Sequence, residues 1–339
     1  MGTTIIDVAK KAGVSKSTVS KVLNNTPYVS EKAKTSVLKA MIELDYIPNS
    51  IARNLVKNRN TPIIGLIVSD IVNPFFPEIA RGVEDTARIK NYSMVLCNTD
   101  YDLRKEENYI NFLLQIRASG IIFASTRIHD SIIYGLKKIK YPFILLSRIH
   151  SIIETDFVDV DNELGANIAV KYLIDKGHKK IAHITGPLDT SPALQRLNGY
   201  KNTLKENGIE YDEDLVMTGD FRESGGYECA KKLLIINRKK RPTAIFAAND
   251  LSAMGAMEAI YSLGLKVPDN ISIIGYDNIH ISSHPSINLT TINQPKYEMA
   301  KIATEILIDK SENKIPPQKK SQIVLKPSLV ERKTVQEIQ

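Results

Sequence analysis

Asn73-Pro74-Phe75-Phe76 sets two aromatic rings and a carboxamide directly after an apolar run. Such rings can stack on the apolar faces of a sugar or a base while the amide hydrogen-bonds its rim. Arg148, Arg196, Phe221, Asn249, Asp277 and Gln294 stand at comparable places: after ILLS, at the start of QRLNGY, after VMTGD, and in AAND, IIGYD and TTINQP. Gathered at one edge, these groups would form a cleft for a polar small molecule; taken singly, each is an ordinary loop or core-cover residue. GxGxxG after a strand, GxxxxGK(S/T), HExxH and GxSxG are absent. His280 and His284 are four apart, but Pro285 follows them, which argues against a metal pair. Catalysis, a metal and a cofactor are therefore not expected.

A second constellation lies near the N-terminus. In Thr4–Asn24, TIIDVAKKAGVSKSTVSKVLN, Lys16, Ser17, Ser20 and Lys21 would share one side of a short helix whose other side carries Val19, Val22 and Leu23. A face of short polar and cationic groups without carboxylates suits the major groove of DNA, although a plain amphipathic hairpin has the same pattern. Charge separates the two. Residues 1–60 hold ten Lys/Arg against Asp7, Glu31, Glu43 and Asp45, a net +6 of the chain's +7. A basic head on a neutral body is the electrostatic footprint of phosphate binding.

These residues need elements to position them. Thr4 and Asp7 can form a capping box for a helix through Ile5, Val8, Ala9 and Ala12. Gly13 makes the turn, Ser15 caps the next helix, and Ser30 caps a third with Ala33, Val37, Ala40, Met41 and Leu44 as its stripe. Asn49–Val56 reads as a short helix, marginal alone, before a linker. From Pro62 the pattern becomes alternating strands (62–69, 92–97, 121–125, 143–147) and helices (77–90, 103–117, 131–138). It restarts at Asn162 with helices 162–176, 192–206, 224–236 and 250–263 and strands 180–185, 215–218, 244–247 and 272–276. The fold class is thus an N-terminal all-α helix-turn-helix head and an α/β core of two doubly wound parallel-sheet lobes. The expected boundaries are 1–47 for the head, 48–60 for hinge and linker, 61–161 with 293–322 for one lobe, and 162–292 with 323–339 for the other.

No apolar run is long enough to span a membrane, and the N-terminus carries no export-type apolar segment, so a cytoplasmic, nucleoid-associated protein is expected. Cys97 and Cys229 read as buried free thiols.

The run Asp7-Val8-Ala9, Ala12-Gly13-Val14-Ser15, Thr18-Val19-Ser20-Lys21-Val22-Leu23-Asn24 closely resembles the start of the LacI/GalR (lactose-repressor) family of bacterial transcription regulators. Lys21 departs from the family's usual Arg and lacks the bidentate fork that grips a guanine edge. The resemblance extends over the core, which is similar to ribose-binding-type (type I) periplasmic binding proteins. It implies operator contacts by Thr4, Lys16, Ser17, Thr18, Lys21 and Asn24. It further implies a hinge helix in the minor groove, with Leu55 as wedge beside Ala52 and Arg53. In the core it implies that Arg196, Asp277 and Asn249 hold ligand hydroxyls, that Phe75, Phe76 and Phe221 sandwich the ring, and that Arg148 and Gln294 complete the network, beside the Asn73 amide already placed at the ligand's rim. Ser147 departs from it, since the ribose-type pattern has Asp there. The chain ends in ERKTVQEIQ without a leucine heptad, so a homodimer on a near-palindromic operator is implied. The implied function is a repressor controlled by a sugar or sugar phosphate. A purine ligand or a phosphocarrier co-regulator is the alternative, and a solute-binding protein or an enzyme on this fold the more distant rivals.

Overall fold

The structure, a computed structural model, describes residues 3–23, 26–46, 61–124, 131–150, 152–235, 241–316 and 318–338. It divides into two compact units, Met1–Thr61 and Pro62–Gln339.

In the first unit, α1 (Ile5–Ala12), α2 (Lys16–Leu23) and α3 (Glu31–Glu43) enclose a small core of Val8, Ala9, Val19, Val22, Val37 and Ala40. The caps are those the sequence implies. Thr4 and Asp7 close a capping box, and Gly13 leaves α1 with φ +68°, where a Cβ would be strained. Ser15 Oγ accepts from the Thr18 amide, and Ser30 Oγ from that of Ala33.

The second unit holds two six-stranded sheets. The first comprises β1 (Thr61–Val68), β2 (Ser93–Asn98), β3 (Ala118–Ala124), β4 (Phe143–Leu146), β5 (Phe157–Val160) and, from the chain's end, β11 (Gln322–Leu325), in the order β11-β5-β4-β3-β1-β2. Around it lie α4 (Phe75–Ile89), α5 (Leu103–Gln115) and α6 (Ser131–Lys138). The second sheet comprises β6 (Ile181–Thr185), β7 (Val216–Thr218), β8 (Ala244–Ala247), β9 (Ser272–Asp277), β10 (Thr290–Asn293) and β12 (Ser328–Val330), in the order β12-β10-β9-β8-β6-β7. Its helices are α7 (Asn162–Asp175), α8 (Ser191–Glu206), α9 (Glu223–Ile235) and α10 (Asp250–Ser262). After β10 the chain returns as α11 (Lys296–Ser311), which packs on α4 and on β3, β4 and β5. The inner strands β3 and β6 are buried along their whole length, as strands covered by helices on each side must be.

Four details differ from expectation. β5 is a strand although Asp159 interrupts its apolar run, which hides it from a reading of apolar patterns; the acid is fully buried. β12 is a three-residue edge strand antiparallel to β10, too short to register as a pattern. Gln322–Leu325 pairs with β5, so the last crossing between lobes falls at 326–327 and not at 322, which gives β11 to the first lobe. Finally, α4 starts at Phe75, not Pro77. Pro77 is tolerated in the first turn, where backbone N–H groups have no helical partner.

Candidate functional site

All nine expected core residues line one cavity: Asn73, Phe75, Phe76 and Arg148 from the first lobe, and Arg196, Phe221, Asn249, Asp277 and Gln294 from the second lobe or the crossing after it. Tyr101, Ser147 and Pro192, which the sequence pattern does not mark as ligand contacts, complete the lining. The cavity encloses about 330 Å³ of space free of protein atoms, its mouth included.

Phe75 and Phe76 open α4 and meet edge to face, ring centroids 5.2 Å apart. Asn73 Oδ1 accepts from the Phe75 amide at 3.0 Å, a local turn that fixes the entry of the helix. Asn249 caps α10: its Oδ1 accepts from Ser252 N at 2.9 Å, and its Nδ2 donates to the Phe221 carbonyl at 2.8 Å. Its first task is thus to hold the Phe221 loop. Phe221 sits at φ +65°, and Gly186 gives its ring room, since a Cβ there would lie 2.1 Å from the ring tip. Tyr101, Ser147 and Asp277 also have positive φ, 62°, 54° and 114°. Four strained residues on one lining is the clustering that ligand sites show.

Arg196 is the best anchored group. Its guanidinium stacks 3.6 Å over the Tyr276 ring, Nε donates to Asn162 Oδ1 at 3.0 Å, and Nη1 donates to the Ala248 carbonyl. Nη1 also lies 4.0 Å from Asp277 Oδ1, which accepts from Gln294 Nε2 at 2.6 Å. Arg148 Nη1 donates to the Ser147 carbonyl at 2.7 Å, whereas buried Arg148 Nε and Gln294 Oε1 have no hydrogen-bond partner. Two buried polar atoms left open at a cleft are what an incoming ligand can satisfy.

Buried charge surrounds this lining. Burial pushes the Asp277 carboxyl up, against the pull of Arg196 and Lys296. Asp250, which accepts from Thr291 Oγ1 and from the Ile279 amide, is pushed further, by burial and then by the charge of Asp277. Asp159 is raised to about 6 by burial, offset in part by Arg148 and Arg196. Lys296 Nζ donates to the Asp277 carbonyl at 2.6 Å and pairs with Glu78 at 3.2 Å, pinning the strained Asp277 peptide. Sequence reasoning missed Asp159, Asn162, Asp250 and Lys296; Asp250, adjacent to Asn249 in AAND, and Asp159 in FVDV carried a signal as acids inside apolar runs.

The two lobes touch beside the cavity. Asp70 pairs with Arg222 at 3.3 Å, and the Ile149 amide donates to Ser191 Oγ at 2.9 Å. Cys97 and Cys229 are buried and free, and burial raises both thiols.

In the head, Lys16, Ser17 and Lys21 are exposed on α2 and Thr18 is half-buried. Ser15 Oγ lies 2.7 Å from Ser17 Oγ and 2.9 Å from Thr18 Oγ1, so the start of α2 is hydrogen-bonded as a unit. Thr4 is exposed, but its hydroxyl is engaged with Asp7. Asn24, Ala52, Arg53, Leu55 and the expected helix Asn49–Val56 lie outside the described residues.

Residues 4–49 match the model of the bacterial regulatory proteins, lacI family, and residues 170–335 that of a periplasmic binding protein-like domain. The chain is 38% identical over 330 residues to the ribose operon repressor of Escherichia coli (strain K12), covering 97% of this chain and 98% of that one. The chain belongs to the LacI family. This LacI-family protein is also 37% identical over 312 residues to the HTH-type transcriptional repressor PurR of Aliivibrio fischeri (strain MJ11), 92% of each chain. Its structure is similar to that of the lac repressor dimer bound to operator and the anti-inducer ONPF, with TM-score 0.85, 31% identity, and 99% and 100% of the two chains covered. It is a DNA-binding transcriptional repressor under effector control, and these relatives are repressors, not enzymes. Among the described residues no helix is long and apolar enough to cross a membrane.

Proposed function

We propose that this LacI-family repressor is a cytoplasmic homodimer that reads a near-palindromic operator through Lys16, Ser17, Thr18 and Lys21, with Leu55 as a minor-groove wedge. Its operator binding is set by an uncharged monosaccharide held by the nine cleft residues.

The observation that carries the effector class is charge balance. Arg148 and Arg196, both nearly inaccessible, are matched by the equally buried Asp159 and Asp277. Asp250 is pushed toward its neutral form, and Lys296 is matched by Glu78. No surplus positive charge remains for a phosphate, while carboxylate, guanidinium and carboxamide groups beside Phe75 and Phe221 suit the hydroxyls and apolar faces of a sugar ring. The likeness to the ribose operon repressor makes D-ribose the first probe. The aromatic rings would also accept a planar base, and the likeness to PurR makes a purine the second. A surface groove that the exposed Val72, Tyr261 and Ile281 line together with Leu251, Met254 and Met257 supports self-association, as does the likeness to a repressor dimer.

The test is thermal unfolding of the full chain with D-ribose, D-ribose 5-phosphate and hypoxanthine. A ligand binding only the native state at a hundred times its Kd adds about 2.7 kcal/mol of stability. Stabilisation by the neutral sugar, with a matching change in operator affinity, is expected. Stabilisation by the phosphate ester alone would overturn the charge argument, and by hypoxanthine alone the sugar reading.

A further inference from the structure

Asp159 lies one strand away from the cleft lining. Leu145 and Leu146 of β4 pair with Phe157 and Val158 of β5, and the Ser147 amide donates to the Val158 carbonyl at 2.8 Å. The next residue on β5 is Asp159, so this acid stands beside Ser147 and next to the strand end that carries Arg148. It is wholly inaccessible and does not line the cavity. Its Oδ1 accepts from the Val160 amide at 2.8 Å and from Asn162 Nδ2 at 3.4 Å, and Asn162 Oδ1 in turn accepts from Arg196 Nε. Its Oδ2 has no hydrogen-bond partner, and its charge acts on both Arg148 and Arg196. A buried acid with one oxygen uncommitted destabilises the fold unless a charge opposes it. The opposing charges are the two guanidiniums that face the ligand.

We infer that Asp159 is a specificity-determining positioning residue: it supplies from the neighbouring strand the negative charge that makes the two-arginine cleft refuse anions and accept an uncharged ligand. The inference rests on the proposed neutral effector only for the sugar arm of its test. Without this acid, Arg148 and Arg196 would be opposed by Asp277 alone, and the surplus charge would make the cleft a two-guanidinium oxyanion site. The carboxyl is raised to about 6, so a buffer more than one pH unit above that keeps it ionised.

The experiment uses Asp159→Asn, which keeps shape and removes charge, in the full chain, with inorganic phosphate and D-ribose as probes. The parent should show at most a weak phosphate-dependent stabilisation at high phosphate, whereas Asp159→Asn should bind phosphate roughly 10-fold or more tightly, the gain expected from one uncompensated charge in a screened but buried site. Its affinity for the sugar should fall at the same time. Ser147→Asp/Asp159→Asn returns a carboxylate next door, at a left-handed position that Asp tolerates, and should abolish the phosphate response. A merely structural role would weaken the sugar without creating a phosphate response, and Ser147→Asp would not rescue it. If Asp159→Asn does not fold, recovery of folding in the double variant supports the inference and failure to recover overturns it. Unchanged phosphate affinity in a folded Asp159→Asn also overturns it. Absence of sugar binding by the parent would instead sink the proposed effector and leave the phosphate comparison standing.

Discussion

Replacing Asp277 by Asn separates ligand recognition from folding. The carboxylate is 4% exposed, accepts from Gln294 Nε2 at 2.6 Å and faces Arg196 Nη1 at 4.0 Å. Asn keeps the size and can keep the Gln294 contact. Arg196 keeps its Asn162, Ala248 and Tyr276 partners, so the guanidinium stays in place. What disappears is a charged acceptor able to take two vicinal hydroxyls at once. Charged hydrogen bonds contribute about 1.5–3 kcal/mol and neutral ones about 0.5–1.5, and Asn can accept fewer of them, so the loss is about 2–4 kcal/mol of effector binding. That is roughly 30- to 1,000-fold in Kd. The free protein should not suffer, because burial already disfavours the ionised carboxyl and its charge disfavours that of Asp250. Calorimetric titration with D-ribose, thermal unfolding, and operator anisotropy without ligand on one preparation give the three readouts. The expected result is weakened ligand binding with parent-like stability and parent-like operator affinity. Parent-like ligand affinity would remove Asp277 from the site, and a loss of stability as large as the loss of affinity would make its role structural.

Gly186→Ala puts a methyl group 2.1 Å from the Phe221 ring tip, so the ring must leave its place; a loss of about 1 kcal/mol of ligand binding, near fivefold, is expected from the aromatic contact. Calorimetry checks it, and unchanged affinity would mean that Phe221 does not cover the ligand. The carboxyl of Asp250 ionises near pH 4 when unfolded, but it is held near 8 in the native chain. The native state therefore binds the extra proton between those values, and this contribution to stability, fully present at low pH, is lost as pH rises through about 8, by up to ~1.4 kcal/mol per unit. His183, buried neutral with its imidazole lowered to about 4, works in the opposite sense only below its ordinary value of 6.5. Urea unfolding above pH 6.5 should thus show a falling stability that Asp250→Asn flattens, even though Asn cannot satisfy both the Thr291 hydroxyl and the Ile279 amide and lowers stability overall. Replacing Lys16 and Ser17 should change which sequence is bound, while replacing the exposed Lys10 or Lys39 should at most weaken all sequences alike; a binding-site selection that returned the parent operator for the Lys16/Ser17 variant would refute this reading of α2.

Signals that depend on neighbours in sequence are legible from the chain alone. Thr4 with Asp7, Ser15 and Ser30 declare their helices because a cap acts within three residues, and Gly13 declares its turn because only a residue without Cβ is at ease there. Unbroken apolar runs such as Ala244–Ala247 mark the central strands, and the residues that follow them fall in one cleft because parallel strands end on one side of their sheet. The sequence also locates the chain's excess charge in its first sixty residues.

Tertiary structure decided what distance along the chain hides. It brought Phe157–Val160 into a sheet despite the acid within it, because the burial of Phe157, Val158 and Val160 outweighs one charge that Arg148 and Arg196 oppose. It gave Gln322–Leu325 to the first lobe, since hydrogen bonding to β5 and not local pattern fixes where an edge strand docks. It turned Asn249 into a brace for Phe221 and set Lys296 beneath the strained Asp277 peptide. Above all, it assembled the balance of buried charges around the cleft. Composition can count charges, but only packing removes particular ones from water and makes each depend on the next.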